Sequence, residues 1–181
     1  MKRIVWTFGL ISGAILAAAV LITGLLKDQI PLDRAELIGY TTMVAAFLMV
    51  FFGIKSYRDT VLQGKINFGR AFLVGMLITG ISCVCYSATW QFVSERMYGD
   101  FAAKYAEGVL DKAKAAGATA EQVEAKRVEM AKFQQMYKNP MLKFAMTLVE
   151  PLPVGLVIAL VSAGVLARRR EPESAPTIRV A

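Results

Sequence analysis

Histidine is absent from the 181 residues, which removes the commonest general base and transition-metal ligand. Cysteine occurs twice, at Cys83 and Cys85. Two positions apart on a helix, they point to different faces. They therefore do not readily converge on one metal or bridge each other within one helix, and they read as small packing residues. No phosphate-cradling glycine loop or nucleophile elbow is present, and no acid, base and nucleophile form a recognisable set. These absences weigh against an enzyme and imply neither a cofactor nor a bound metal. Charge is also sparse, at 19% of residues against about a quarter in soluble domains.

The charges are missing altogether from four long runs, residues 4–26, 37–54, 71–93 and 151–167. About 20 apolar residues cross the hydrocarbon core of a bilayer as a helix, so the chain reads as an all-α integral membrane four-helix bundle. Hydrophobic residues make up 56% of it, mean hydropathy is +0.48, and one membrane domain uses most of the length. Three spans occupy residues 1–93, with an elbow at 55–70. A charged helical hairpin follows at 94–143, then the fourth span at 144–170 and a flexible tail at 171–181. The hairpin is too short to bury a large core alone, so it is expected to lean on the bundle. Lys2 and Arg3 before an apolar run containing Ala17, Ala18 and Ala19 look like the start of a secretory signal. A signal's apolar region ends after about 7 to 15 residues; this one continues through Val20 to Leu26, and a retained anchor is expected.

Lys and Arg beside span ends set orientation. If four spans alternate, Lys2, Arg3, Lys55, Arg58, Lys65, Arg70, the run Arg168-Arg169-Arg170 and Arg179 fall on one side, against Asp59, Glu171 and Glu173. On the other side Lys27 and Arg34 face Asp28, Asp33 and Glu36, and the hairpin nearly balances its charges. Both termini are therefore expected in the cytoplasm and the hairpin outside it. The cytoplasmic pieces show no aromatic platform or nucleic-acid module, so no nucleic acid is expected. Anionic lipid headgroups fit the basic residues, at about 1 kcal/mol per side chain. Lys55, Tyr57, Arg58, Asp59, Lys65 and Arg70 are the candidate lipid or partner contacts, with Tyr57 and Phe68 placed to sit at headgroup depth.

Small residues recur at every fourth position on three spans: Gly9, Gly13 and Ala17; Ala71, Gly75, Thr79, Cys83 and Ser87; Gly155, Ala159, Ala163 and Ala167. Such stripes let membrane helices approach closely. They serve either packing within one chain or a homodimer or membrane-protein partner. Span two displays Phe47, Phe51 and Phe52 instead, and is expected to be the more lipid-exposed helix.

Glu150 stands between apolar runs, just before Pro151 and Pro153. If span four begins at Pro151, both prolines occupy a first turn and Glu150 lies at the outer interface near a positive helix end. If the helix instead starts at Pro140 under an Asn139 cap, the prolines kink it and Glu150 faces a cavity, a candidate intramembrane polar site suited to ion or proton movement.

Within the hairpin, Thr119 and Gln122 have capping-box spacing, Gly117 suits the end of the first helix, and Asn139-Pro140 ends the second. Phe101, Tyr105 and Val109 share a face of the first, while Val123, Met130, Phe133 and Tyr137 approximate a stripe on the second.

The stretches G-I-K-S-Y-R-D at 53–59 and I-N-F-G-R-A-F-L-V-G at 66–75, with four spans, a long charged insertion before the last and a basic Arg168-Arg169-Arg170 ending, resemble domain-of-unknown-function family 4199, small bacterial inner-membrane proteins. The resemblance implies topology and location, with no activity or catalytic residue to transfer. The expected function is a non-enzymatic accessory or scaffold subunit that organises membrane components. The alternative is a small transporter or channel using Glu150 and the Pro151/Pro153 break.

Overall fold

The computed structural model describes residues 1–27, 29–30 and 32–167. The charges counted above at Asp28, Arg168, Arg169, Arg170, Glu171, Glu173 and Arg179, the side chain of Asp33, and the tail at 171–181 lie outside the described residues. Among the described residues the chain is all-helical: α1 (Lys2–Leu25), α2 (Leu32–Thr60), α3 (Phe68–Arg96), α4 (Phe101–Ala115), α5 (Ala120–Lys138), α6 (Pro140–Val149) and α7 (Leu152–Leu166). Four segments are long and apolar enough to cross a membrane: Lys2–Leu25, Glu36–Thr60, Phe68–Arg96 and Pro140–Leu166. The protein is a multi-pass membrane helical bundle.

Helix α3 is central and packs against α1, α2, α6 and α7, while α1 and α7 each pack on both α2 and α3. Gly9 faces Ile81 and Gly13 faces Cys85, so α1 runs parallel to α3. Gly75 faces Ala159 and Gly155 faces Thr79, so α7 runs antiparallel to it. The start of α1, the elbow and the end of α7 therefore gather at one end of the bundle, and the hairpin stands at the other.

Much of the contact surface of α3 and α7 is built from small and hydroxylic side chains. Ala71, Thr79, Cys83, Ser87, Ala159 and Ala163 are all 0% exposed, whereas Trp6 and Val161 on the outer surface are 57% and 60% exposed. Small residues where helices touch suit lipid, because hydrocarbon gives no hydrophobic drive between helices and close contact must supply it. All four stripe glycines, Gly9, Gly13, Gly75 and Gly155, meet helices of the same chain.

Span two differs from its expectation. Phe47 is 0% exposed and its ring lies against Gly155. Met43, Ala46, Val50, Ile54 and Tyr57 join it on one buried face, at the three- and four-residue spacing of a core stripe. The aromatic fills the groove that glycine opens on α7, so counting small residues helix by helix misses a large-into-small fit.

Helix α2 also continues past Ile54 to Thr60, so Lys55, Tyr57, Arg58 and Asp59 stand on its last turns rather than in a loop. The elbow reverses through Gln63 and Gly64, both at positive φ (52° and 88°). Asn67 then caps α3 by accepting from the Arg70 amide at 2.9 Å. The hairpin has the expected punctuation: Gly117 takes φ +79°, and Thr119 and Gln122 form a reciprocal capping box with bonds of 2.9 and 3.3 Å.

Candidate functional site

The fourth span combines both expectations for its start. Asn139 caps α6 by accepting from the Met141 and Leu142 amides at 3.0 and 3.3 Å, so the apolar helix begins at Pro140. It then stops: Glu150 ends α6, Pro151 is the N-cap of α7 and Pro153 lies in its first turn. Proline supplies no amide hydrogen, which is harmless at a helix start and breaks a helix that has already begun. The result is a span of two helices with a carboxylate at the joint.

That carboxylate opens onto a cavity of ≈ 250 Å³ at the hairpin end of the bundle. Leu16, Ala19, Val20 and Thr23 of α1 form one wall, and Glu36, Ile38, Gly39, Tyr40, Thr42 and Met43 of α2 another. Tyr86 and Trp90 of α3 with Tyr98, Phe101 and Tyr105 complete it around Glu150. The Tyr86 hydroxyl donates to Glu150 Oε2 at 3.2 Å, tying the joint of span four to the central helix. Among the described residues neither Glu36 nor Glu150 forms an ion pair.

An aromatic cluster roofs the cavity and holds the hairpin down. Phe101 packs edge-on to Trp90 at 4.9 Å, and contacts Tyr98 and Tyr137 at 5.6 Å each. Tyr105 and Phe133 join the two hairpin helices at 5.5 Å. The Trp90 indole donates to the Tyr137 hydroxyl, and Tyr98 donates to the Thr23 carbonyl at 3.3 Å. Burial pushes the Tyr137 phenol up from 10.0 to about 12, the Trp90 bond opposes this, and the Glu150 charge adds to it. Because the folded value lies above the ordinary one, the neutral phenol's contribution is complete below pH 10.0 and is lost as pH rises through about 12. A melting series across that window is expected to show a fall that is steeper in the wild type than in Tyr137→Phe.

Behind the cluster, Lys143 is only 5% exposed and donates to Glu95 Oε1 at 2.9 Å and Ser94 Oγ at 3.3 Å. This pair lines a second, polar cavity of ≈ 420 Å³ with Asp100, Gln134, Tyr137 and Lys138 among its walls. It pins the start of span four to the end of span three.

The remaining candidates lie at the far end of the bundle. Lys55, Lys65 and Arg70 are exposed, and Arg58 pairs with Asp59 at 2.7 Å. Tyr57 is 7% exposed and belongs to the core, whereas Phe68 is outside and stacks on Phe72. The fold thus gathers exposed basic side chains at the elbow but turns Tyr57 away from them and holds Glu150 at the opposite end. Sequence reasoning missed Glu36, Tyr86, Trp90 and Lys143. Tyr86 and Trp90 are one turn apart on α3 and share a face, a signal that was available. Glu36 becomes informative only once α2 is placed beside Glu150.

Among the described residues no group of three or more Cys, Asp or Glu is gathered to hold a metal ion. No curated protein and no solved structure matches the chain. The model of the family described as protein of unknown function DUF4199 matches residues 7–168, a stretch that takes in most of the first span and all of the elbow, the hairpin and the broken fourth span, and the chain belongs to that family.

Proposed function

We propose that the protein is a small, non-enzymatic transporter whose working site is the hairpin-end cavity, with Glu150 at the break in span four as its central group. The observation that carries this reading is the position of the Glu150 carboxylate, at a proline-broken joint on an exposed residue that lines the cavity at the hairpin end of the bundle. Ionisable groups within membrane spans are costly and mark ion or substrate paths, and discontinuous spanning helices recur at transporter binding sites. The accessory or scaffold role has less support, because the small-residue stripes that suggested a partner or homodimer are filled by helices of the same chain.

The setting proposed is a bacterial inner membrane, with the elbow end in the cytoplasm and the hairpin outside it. The basic residues Lys2, Arg3, Lys55, Lys65 and Arg70 at the elbow end support that orientation and contact with anionic headgroups there.

Purified protein in liposomes with an entrapped pH-sensitive dye tests the transport reading. A membrane potential is expected to drive proton flux through the wild type, and Glu150→Gln is expected to reduce it to that of empty liposomes. Equal flux from wild type and variant would remove Glu150 from the path.

A further inference from the structure

We infer that the cavity selects an organic cation of headgroup size, a quaternary ammonium or fully substituted amine. This rests on the cavity being the working site and adds the class of ligand it takes. The lining pairs two acidic groups, Glu36 and Glu150, with the rings of Tyr40, Tyr86, Trp90 and Tyr98, and among the described residues it holds no lysine or arginine. Aromatic faces attract a cation within about 6 Å of their centroids, most strongly where water is excluded, and tryptophan does so best. An ammonium bearing methyl groups is itself weakly hydrated, so it loses little on leaving water and gains from both rings and carboxylates.

The protein already uses such contacts beside the site: Lys27 lies over the Tyr98 ring at 5.9 Å, and Lys143 over Tyr137 at 5.6 Å. Lys27 is committed to the Met97 carbonyl, outside the cavity lining. An anion would face two carboxylates with no basic side chain among the described lining residues to receive it. A neutral solute would gain nothing from the two carboxylates, which belong to exposed residues. The ≈ 250 Å³ volume falls just below the usual range of about 300–1,000 Å³ for ligand pockets, suiting a headgroup rather than a drug-sized molecule.

Tryptophan fluorescence provides the test, since the chain has two tryptophans and Trp6 is 57% exposed on the outer surface of α1. Trp6→Phe leaves Trp90 as the sole reporter, inside the cavity. In a maltoside detergent, choline is expected to change Trp90 emission saturably. Its uncharged isostere, with carbon in place of nitrogen, is expected to bind about tenfold more weakly or worse. Glu36→Gln and Glu150→Gln are each expected to weaken choline by about tenfold or more while leaving the isostere unaffected. Dodecyltrimethylammonium below its micelle concentration separates the sources of the headgroup. Tighter binding than choline, against no response to dodecanol, indicates a lipid-like cation, and equal binding indicates a free solute; both support the inference.

Equal affinity for choline and its isostere would overturn cation selection and leave the cavity as a binding site. No saturable response to any of these probes would overturn the cavity reading itself.

Discussion

Gly155→Leu is expected to abolish recovery of monodisperse, folded protein in detergent, while Gly164→Leu on the same helix leaves recovery and melting temperature unchanged. Even the first added carbon at position 155 overlaps Thr79 Cγ2 and meets the Phe47 ring at 3.3 Å. Both neighbours are 0% exposed, and Thr79 is β-branched and stiff at χ1. The clash cannot be relieved by a side-chain rotation, so α7 would have to leave α3. Overpacking a filled core costs about 1–3 kcal/mol and occasionally more, and a leucine here adds carbons beyond the first clash. At Gly164 an added carbon meets nothing within 4 Å, and leucine is a better helix former than glycine. Chromatographic profile and melting temperature of the two variants decide the matter; equal behaviour would mean that α7 does not pack on α3 through this face.

The second large effect is expected at Phe101. Its ring touches Trp90, Tyr98, Tyr105 and Tyr137, so one side chain links α3, the following turn and both hairpin helices. Phe→Ala in a packed site costs about 3–5 kcal/mol, and partial exposure of Phe101 places the expected loss near the lower end of that range. Because the lost contacts join the hairpin to the bundle, the consequence is local release rather than dissolution of the spans. Phe101→Ala is expected to expose Lys104, Lys112 and Lys114 to rapid tryptic cleavage and to shift Trp90 emission to the red. Phe101→Leu restores most of the buried volume and is expected to recover most of the protection. A cleavage rate for the alanine variant equal to that of the wild type would show that the hairpin is held by other contacts.

The spans were legible because apolar runs of bilayer length are a composition signal that needs no partner to interpret. The hairpin's ends were legible for a different reason: Gly117, Thr119, Gln122 and Asn139 act on backbone groups within a few residues, so sequence spacing is spatial spacing. Tertiary fit was not available in the same way. Phe47 reads as a lipid-facing aromatic on its own helix and becomes core only because Gly155, more than a hundred positions along the chain, opens a groove for it. The two alternatives for Glu150 each captured half of the geometry, since Asn139 starts the helix at Pro140 while Pro151 and Pro153 begin another. Local capping rules act at both places, and nothing in the sequence forbids a span from having two beginnings. The cavity was the least legible feature, because Glu36, Tyr86, Trp90 and Glu150 share no motif and meet only through the antiparallel return of α2 and the break in span four.

The central claim is that this break places residue 150 in a water-reachable cavity at the hairpin end of the bundle. Thiol labelling of Glu150→Cys, in a background with Cys83→Ala and Cys85→Ser, tests it most directly in sealed vesicles. A small, membrane-impermeant thiol reagent applied on the side bearing the hairpin is expected to label position 150, more slowly than an exposed reference such as Lys126→Cys but to completion. Full labelling of the reference with none at position 150 would contradict the claim.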